Sequence, residues 1–455
     1  MNIAVILAGG TGSRLGDSTP KQFFKVAGKT IIEHTVDVFE KNNSIDEISI
    51  VIHESFVSTI EEMIINNSWT KVRKVLKGGK ERYESSLAAI NAYSDFPNYN
   101  LIFHDAVRPL INDRIIRDVV NALQKYNAVD VAVAATDTII QVDDSGEIIE
   151  NIPNRKYLRR GQTPQAFKLD TIRKAYEIGL SDPNFVSSDD CGTIVRYLPS
   201  EKIFVVQGEE SNMKLTYKED TYLLDKLFQL RSYSIQNEID FNLLKNRVLV
   251  IFGGNSGIGE KIYEIAKSYG ANVFTFSRSS TGTDIGDKIS VKNALANVYD
   301  KTQRIDYVVN CAAILARQPL IYMNEKLITE MIRTNYDGLV NIAVESYNYL
   351  KESKGHLLLY TSSSYTRGRA FYSIYSSTKA AVVNFMQALA SEWDSSNIRI
   401  NVMNPERTKT PLRIKNFGIE AENTLLTTDV VALASLKTLL SDFTGQVIDV
   451  KLRKE

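Results

Sequence analysis

The sequence predicts an α/β protein of two doubly wound domains, each built on a parallel sheet. Short apolar segments alternate with amphipathic segments of helical period along most of the chain, a pattern typical of such sheets. Two glycine-rich turns follow apolar strands, at residues 9–12 and 253–259. The length of 455 residues favours at least two domains. We therefore predict domains at 1–232 and 246–455, joined by a polar linker at 233–245.

The composition excludes several classes of protein. Lysine plus arginine and aspartate plus glutamate number 54 each, so no strong field attracts nucleic acid or an anionic membrane. No apolar run approaches a membrane span, and the first residues lack the basic region of a signal peptide. Cys191 and Cys311 lie in unrelated segments, which argues against a disulfide framework or a zinc site. These observations indicate a cytoplasmic enzyme acting on small molecules, with no nucleic-acid or membrane partner.

The first glycine-rich turn combines backbone freedom with positive charge. Gly9, Gly10 and Gly12 let the backbone turn tightly and bring its N–H groups close to an anion. Arg14 and Lys21 follow as two cations. No Gly-Lys-Ser/Thr follows at the spacing of a Walker A motif, and the two cations would crowd a dinucleotide site. The loop therefore favours a nucleoside triphosphate whose leaving group is pyrophosphate, although a plain strand-to-helix turn is the alternative.

Further polar clusters fall where strands of the first domain are predicted to end. Asp105 and Arg108 follow an apolar strand; Asp105 could hold Mg²⁺ and Arg108 could meet a phosphate bidentately. The alternative is a single surface salt bridge between these two side chains. Residues 138–152 read as a β-hairpin around the turn Asp143–Gly146.

In their order along the chain, these segments resemble the cytidylyltransferases that act on methylerythritol phosphate and on ribitol 5-phosphate, over nearly all of residues 1–225. The segment Gly161–Gln165 is more similar to the ribitol branch. The resemblance implies catalysis by Arg14, Lys21 and Lys214, which would stabilise the pentavalent α-phosphorus of CTP. The residues implied to bind CTP are Ala8, Gly9, Gly10, Gly12, Gly79, Lys80 and Ser85, and those implied to bind the polyol phosphate are Asp105, Arg108, Arg155 and Ser188.

The same resemblance implies a protruding hairpin arm and an assembly of identical chains. In that family the hairpin crosses to the other subunit of a dimer, so we expect a homodimer or higher homo-oligomer with Arg155 in the neighbour's site. Ser188 stands where the methylerythritol enzymes typically have Thr, and this change keeps the hydroxyl group.

The second glycine-rich turn has the context of a dinucleotide site. Gly253, Gly257 and Gly259 follow a buried strand and open a helix, which permits a close approach of pyrophosphate to the helix N-terminus. Arg278 stands at the end of the next strand, where an arginine accommodates a 2′-phosphate. The sequence therefore favours NADPH over NADH, with a solvated surface Arg278 as the alternative.

A tyrosine and a lysine further on have the spacing of a proton-transfer pair. Tyr375 and Lys379 share one face of a predicted helix, and Ser362 lies thirteen residues before Tyr375. We expect Lys379 to lower the phenol pKa of Tyr375, so that the phenol acts as a general acid to a carbonyl. The Ser362 hydroxyl would hold the developing alkoxide. A surface Tyr–Lys pair is the alternative.

The second half, with these motifs in order, resembles the short-chain dehydrogenase/reductase family. The resemblance implies a Rossmann fold and a catalytic set of Ser362, Tyr375 and Lys379, with Asn335 holding a proton-relay water. Phe252 and Glu406 depart from the family pattern, away from the chemistry. The residues implied to bind the cofactor are Gly253, Asn255, Ser256, Gly257, Ile258, Gly259, Arg278, Asp284, Asn310, Thr408 and Thr410.

Together the two resemblances imply consecutive reactions. Ribulose 5-phosphate would be reduced with NADPH to ribitol 5-phosphate, which CTP and Mg²⁺ would convert to CDP-ribitol and pyrophosphate for a capsule or teichoic-acid-type polymer. One alternative is a methylerythritol-type cytidylyltransferase fused to an unrelated reductase. Another is a transferase whose reductase-like domain serves only dimerisation, although the intact Ser362, Tyr375 and Lys379 set argues against it.

Overall fold

The computed structural model forms two compact units, Met1–Leu224 and Asp225–Glu455. The residues it describes are 1–10, 20–96, 98–187, 189–217, 219–232, 239–442 and 444–452. Residues 233–238 of the predicted linker lie outside the described residues, as do the predicted site residues Gly12, Arg14 and Ser188. Within the described ranges, no helix has both the length and the apolar character that a membrane span requires.

The first unit is organised around a mixed sheet with a parallel centre. Strand β1 (Asn2–Ala8) pairs in parallel with β4 on one side and β6 on the other, and the strand order is β10-β7-β11-β6-β1-β4-β5, with β12 beside β7. The chain adds β4 and β5 on one side of β1 before it adds β6 and the later strands on the other side. In open α/β sheets, ligands bind where the strand order reverses in this way. The other strands are β2 (Lys25–Val26), β3 (Lys29–Thr30), β4 (Glu47–Ile52), β5 (Val72–Lys77), β6 (Asn100–Asp105), β7 (Ala128–Ala134), β8 (Gln141–Val142), β9 (Ile149–Asn151), β10 (Arg159–Gly161), β11 (Gln165–Lys168) and β12 (Ile203–Gln207).

Helices cover both faces of this sheet, which explains why β1 and β4 are apolar along nearly their whole length. The first helix begins at a capping box, in which Thr30 and Glu33 each satisfy the other's backbone N–H. The helices of this unit are α1 (Ile31–Lys41), α2 (Val57–Asn67), α3 (Arg82–Ala92), α4 (Asp113–Ala122), α5 (Leu169–Leu180) and α6 (Asp190–Tyr197), and α7 (Glu219–Ser232) contains the boundary between the two units.

The predicted hairpin is present as a small separate sheet of β8 and β9. Its turn is stabilised by Ser145, whose hydroxyl donates to the Asp143 carboxylate at 2.6 Å. Ile148, Ile149 and Ile152 are all more than half exposed on or beside β9. The hairpin therefore carries apolar side chains that this unit does not itself bury.

The second unit contains a six-stranded sheet in which every pairing is parallel, in the order β14-β13-β15-β16-β17-β18. Its strands are β13 (Val248–Phe252), β14 (Asn272–Phe276), β15 (Tyr307–Asn310), β16 (His356–Tyr360), β17 (Arg399–Pro405) and β18 (Val447–Val450).

The helices of the second unit pack on both faces of its sheet, over two apolar cores. A π-helical turn, Arg333–Asp337, joins two of them and contains the predicted site residue Asn335. The α-helices are α8 (Gly257–Ser268), α9 (Lys288–Thr302), α10 (Glu325–Ile332), α11 (Gly338–Ser353), α12 (Ser373–Glu392), α13 (Pro411–Phe417) and α14 (Thr428–Leu440).

Candidate active sites

The loops after β1 and β5 meet at the carboxyl edge of the first sheet. A Cβ atom on Gly9 would lie 2.9 Å from the Ser85 hydroxyl oxygen, and one on Gly78 would lie 3.0 Å from the same atom. Only glycine permits this close approach, and it places both loops against the first turn of α3. The structure thus brings together Ala8, Gly9, Gly10, Gly79 and Ser85, with an exposed Lys80 beside them.

Gln22 stabilises the described part of the first glycine loop. Its side chain is buried, and its amide Nε2 donates to the carbonyl oxygens of Ala8 at 2.9 Å and Gly10 at 3.4 Å. The neighbouring Lys21 begins the same short 3₁₀ helix, Lys21–Phe23. Gln22 was not among the predicted site residues. The sequence feature that could have indicated it is its position next to Lys21, shortly after the glycine loop.

Asp105, Arg108 and Lys214 form one ionic cluster. The Asp105 carboxylate oxygen Oδ2 lies 3.0 Å from Lys214 Nζ and 3.3 Å from Arg108 Nε. These cations, together with Arg82, hold the pKa of the buried Asp105 carboxyl well below its usual range. Asp105 and Arg108 do form an ion pair, but both side chains are largely buried. Lys214 also binds the same carboxylate oxygen, so the pair is not a simple surface salt bridge.

The cluster does not by itself resemble a magnesium site. Lys214 and Arg108 already balance the charge of the Asp105 carboxylate. Among the described residues no group of three His, Cys, Asp or Glu side chains could hold a metal ion. Because Mg²⁺ in nucleotide sites is commonly held by one or two carboxylates together with substrate phosphates, the role of Asp105 as a metal ligand stays a prediction.

A backbone framework holds Lys214 beside the strand end. Arg108 Nη1 donates to the carbonyl oxygen of Asn212 at 2.9 Å, and the Leu215 N–H donates to the carbonyl oxygen of Val107 at 2.9 Å. The buried Asn212 amide in turn donates to the Thr163 carbonyl oxygen at 2.9 Å. Three segments far apart in sequence thus fix the position of the Lys214 ammonium group.

A second ion pair joins the first residue of α3 to the first residue of α6. Arg82 Nη1 lies 2.6 Å from Asp190 Oδ2, and the Tyr176 hydroxyl donates to Asp190 Oδ1 at 2.7 Å. Asp190 is fully buried, and the charge of Arg82 also acts on Asp105. Arg82, Asp190 and Tyr176 were not predicted as site residues, since nothing in the local sequence signals that they meet.

Arg155 lies apart from this cluster within its own chain. Its guanidinium donates to the Thr136 carbonyl oxygen at 2.8 Å, at the base of the hairpin arm. No described contact joins Arg155 to Asp105, Arg108 or Lys214. The role of Arg155 in a neighbouring subunit's site stays a prediction.

A cavity of about 640 Å³ opens at the carboxyl edge of the second sheet. Gly253 forms one end: its φ is +78°, and a Cβ there would lie 2.6 Å from the Ala312 backbone nitrogen. Of the predicted cofactor residues, Gly259 and Asn310 do not line this cavity; Asn310 instead accepts from the Ala312 N–H at 3.1 Å. Those that line it are Gly253, Asn255, Ser256, Gly257, Ile258, Arg278, Asp284, Thr408 and Thr410.

Two of these cavity residues are held in ion pairs. Arg278 Nη1 lies 2.8 Å from the Glu330 carboxylate, and Asp284 Oδ2 lies 2.9 Å from Arg333 Nη2. Both pairs are partly exposed, so each contributes little to stability. Arg278 thus lies at the predicted end of β14 but already has a carboxylate partner, which sequence reasoning did not foresee.

Ser362, Tyr375 and Lys379 line the cavity together. The Ser362 hydroxyl is hydrogen-bonded to the Tyr375 phenol. Lys379 Nζ donates to the Tyr360 carbonyl oxygen at 2.8 Å and lies 5.6 Å from the centroid of the Tyr375 ring. The side chain of Asn335 bonds both backbone groups of Ile314, at 2.8 and 2.9 Å.

The electrostatics of this group differ from the sequence-based expectation. Burial raises the pKa of Tyr375 to about 12, opposed by the hydrogen bond with Ser362. Burial also lowers the pKa of Lys379 to about 8. The expectation that Lys379 lowers the Tyr375 pKa is not met here, because burial dominates and the groups that oppose it are Ser362 and Arg413. The Lys379 amine is instead bonded to the Tyr360 carbonyl oxygen.

Comparison with known families agrees with both halves of the chain. The family of 2-C-methyl-D-erythritol 4-phosphate cytidylyltransferases matches residues 2–229, and the short chain dehydrogenase family matches residues 247–418. The chain is therefore a two-domain α/β enzyme, a cytidylyltransferase domain followed by a short-chain dehydrogenase domain with a nicotinamide cofactor. The predicted fold class is confirmed.

Over its whole length the chain is similar to one bifunctional enzyme. It is 48% identical over 459 residues to the bifunctional ribulose 5-phosphate reductase/CDP-ribitol pyrophosphorylase Bcs1 of Haemophilus influenzae, covering 100% of this chain and 96% of that protein. The chain belongs to this family of bifunctional enzymes. The predicted pairing of a cytidylyltransferase with a reductase is thereby confirmed.

The first half also has relatives that consist of this domain alone. It is 42% identical over 230 residues to the 2-C-methyl-D-erythritol 4-phosphate cytidylyltransferase of Thermobifida fusca, covering 50% of this chain and 92% of that protein. A crystal structure of 4-diphosphocytidyl-2C-methyl-D-erythritol synthase from Anaerococcus prevotii matches with a TM-score of 0.45 and 30% identity, covering 50% of this chain and 98% of that one.

Proposed function

We propose that this chain reduces ribulose 5-phosphate with NADPH and then joins ribitol 5-phosphate to CTP, giving CDP-ribitol and pyrophosphate for a capsule or teichoic-acid-type polymer. The observation that carries the proposal is the 48% identity to the bifunctional Bcs1 across both domains. The cavity of the second unit, lined by Ser362, Tyr375 and Lys379, supports a working reductase. That set argues against a reductase-like domain kept only for dimerisation.

The reductase step follows from the groups around Tyr375. When bound, NADPH would supply a hydride to the ketone carbon, and the Gly253 turn before α8 would hold its pyrophosphate at the N-terminus of that helix. Tyr375 is protonated at neutral pH and donates its phenol proton to the ketone oxygen. Ser362 stabilises the alkoxide as it forms, since its hydroxyl already lies within hydrogen-bond reach of the phenol.

The preference for NADPH depends on Arg278. A guanidinium at this strand end can pair with a 2′-phosphate, whereas a 2′-hydroxyl offers no negative charge. The Arg278 guanidinium already lies 2.8 Å from the Glu330 carboxylate. The 2′-phosphate would therefore have to share this guanidinium with Glu330 or displace the carboxylate from it. We propose that the dianionic phosphate outcompetes the partly exposed carboxylate.

The cytidylyl transfer step follows from the cations at the other site. The acceptor phosphate attacks the α-phosphorus in line and pyrophosphate leaves, so the site acts by positioning and by neutralising charge. We propose that Lys21, Lys214 and Arg14 together neutralise this charge. Arg108 and Asp105 position Lys214 and contact the acceptor. Mg²⁺ stays a prediction, with Asp105 as the carboxylate that would hold it together with the phosphates of CTP.

The assembly and the acceptor are further parts of the proposal. We propose that the chain forms at least a homodimer, in which the exposed isoleucines of β9 are covered and Arg155 reaches the partner's acceptor site. The second candidate acceptor is methylerythritol phosphate, favoured by the 42% identity of the first half to an enzyme of that name.

One set of incubations tests the proposed pathway. With ribulose 5-phosphate, NADPH, CTP and Mg²⁺, the protein alone should form CDP-ribitol, measured by chromatography. Tyr375→Phe should abolish the product, and added ribitol 5-phosphate should restore it. Tyr299→Phe, which alters a partly buried tyrosine of α9 bonded to Glu352, is the matched control. Failure of folded Tyr375→Phe even with ribitol 5-phosphate refutes the two-step assignment, and a better reaction with methylerythritol phosphate favours the second candidate.

A further inference from the structure

The end of the reductase cavity beyond Tyr375 carries an excess of positive charge. Its lining includes four cationic residues, Arg369, Arg407, Arg413 and Lys415, and one anionic residue, Glu406. The Glu406 carboxylate accepts the Leu452 backbone N–H at 2.9 Å. The catalytic set needs no such cations for hydride and proton transfer, so they require another explanation.

Two of these arginines share one carboxylate. Arg413 is held bidentately by Glu420, at 2.6 and 2.9 Å, and Arg407 lies 3.8 Å from the same group. Arg413 belongs to α13, and its charge acts on the Tyr375 phenol, which places this helix beside the reacting group. Glu420 thus neutralises part of the cluster but not all of it.

Arg369 differs from these two arginines. Within the described residues it takes part in no ion pair, and its Nη2 donates to the Ser363 hydroxyl at 2.9 Å. Ser363 is the direct neighbour of Ser362, and both line the cavity. A guanidinium tethered beside the reacting serine presents further donors in the planar fork that matches a phosphate.

The loop that carries Arg369 is held in a strained conformation. Phe371 has a φ of +72°, which is unfavourable for a bulky residue and costs of order 1–3 kcal/mol. Its carbonyl oxygen accepts the Gln318 N–H at 2.7 Å, and its ring lies 5.9 Å from the Arg317 guanidinium. Backbone strain of this kind clusters at ligand sites, where surrounding contacts maintain it.

We propose that Arg369 binds the phosphate monoester of the reductase substrate, so that this end of the cavity is a phosphate subsite specific for phosphorylated ketoses. The proposal rests on the proposed reduction of a sugar phosphate and adds the group that selects it. Arg413, neutralised by Glu420, closes the side of the subsite next to Tyr375. The carbonyl then lies at Ser362 and Tyr375 while the phosphate is held at the rim.

The test compares a phosphorylated and an unphosphorylated ketose. Reduction of ribulose 5-phosphate and of ribulose is followed by NADPH absorbance in wild type, Arg369→Ala, Arg369→Lys and Arg367→Ala. Arg367 is an exposed arginine of the same loop that does not line the cavity, so it controls for a general loss of charge. Thermal unfolding of the same preparations, compared with wild type, shows that the second unit of each variant remains folded.

Arg369→Ala should raise the KM for ribulose 5-phosphate and lower its kcat/KM by about 10- to 100-fold, the effect of losing a hydrogen bond between charged groups. The kcat/KM of Arg369→Ala for ribulose should stay within about twofold of the wild-type value. The kcat/KM values of Arg367→Ala for both ketoses should also stay within about twofold of wild type. Arg369→Lys should recover part of the loss. Equal loss for both ketoses, or no loss for ribulose 5-phosphate, would overturn the proposal.

A binding measurement separates this proposal from the proposed function. If wild type reduces neither ketose, the proposed reduction is wrong, and calorimetric titration with inorganic phosphate decides the subsite. Weaker phosphate binding by Arg369→Ala than by Arg367→Ala would support the subsite. Identical titrations of the two variants would overturn it.

Discussion

Replacing Lys379 by methionine should stabilise the second unit. The Lys379 amine is only 5% exposed, and burial lowers its pKa from 10.5 to about 8. That difference corresponds to about 3 kcal/mol of destabilisation at pH 7, where the ammonium is charged in both the folded and the unfolded state. Methionine removes this penalty, but the loss of the hydrogen bond to Tyr360 destabilises the folded state by about 1 kcal/mol.

The expected net gain at pH 7 is therefore about 2 kcal/mol, or roughly 4–8 °C in the melting temperature of a unit this size. Because the folded pKa lies below the unfolded one, wild type gains stability as the pH rises from about 8 through 10.5. The advantage of Lys379→Met should thus shrink over this range and reverse above it.

The assay is thermal unfolding of the full chain without cofactor, from pH 7 to pH 11. Lys292→Met, which makes the same change at an exposed position of α9, should shift stability by less than about 0.5 kcal/mol. A folded Lys379→Met that is less stable than wild type at pH 7, with a difference independent of pH, would refute the argument from burial.

Four further predictions concern activity. Lys21→Ala and Lys214→Ala should each slow pyrophosphate release by about 100-fold or more yet spare NADPH oxidation; equal loss of both activities in folded protein would contradict separate sites. Arg278→Asp should raise the KM for NADPH, so that the KM values for NADPH and NADH become more similar. If the ratio of these two KM values is unchanged, Arg278 does not contact the 2′-phosphate. Mixing Arg155→Ala with Lys21→Ala chains should restore some cytidylyl transfer in hybrid dimers, and no recovery after proven subunit exchange would count against a shared site. The reduction rate should show no loss from Tyr375 ionisation below about pH 10, because burial raises its pKa to about 12; an inactivating pKa near 7 that Tyr375→Phe removes would show a lowered phenol pKa instead.

The features that were predictable are those encoded locally. Apolar strands bounded by glycine turns specify where parallel strands end, and parallel strands bring their ends to one edge. This is why Gly9 and Ser85, or Gly253 and Tyr375, could be placed in common sites without a structure. The hairpin around Gly146 follows from turn chemistry in the same way.

The features that were missed depend on contacts between distant segments. Arg82 meets Asp190 across 108 positions of sequence, and Glu330 reaches Arg278 from a helix 52 positions further on. Neither pairing leaves a periodic or spacing signal. The strained backbone at Phe371 was equally hidden, because an aromatic residue gives no sequence warning of a positive φ.

The pKa values of Tyr375 and Lys379 show how burial can change a role that spacing assigns correctly. A helical spacing of four residues predicts that the two side chains are neighbours, but the sign of their mutual effect depends on how much water each one loses. Here burial raises the Tyr375 pKa to about 12 and lowers that of Lys379 to about 8. A phenol that stays protonated is suited to donating a proton to a ketone, whereas alcohol oxidation requires the phenolate to accept one. The protonated phenol is therefore the form that the proposed reduction of a ketone uses.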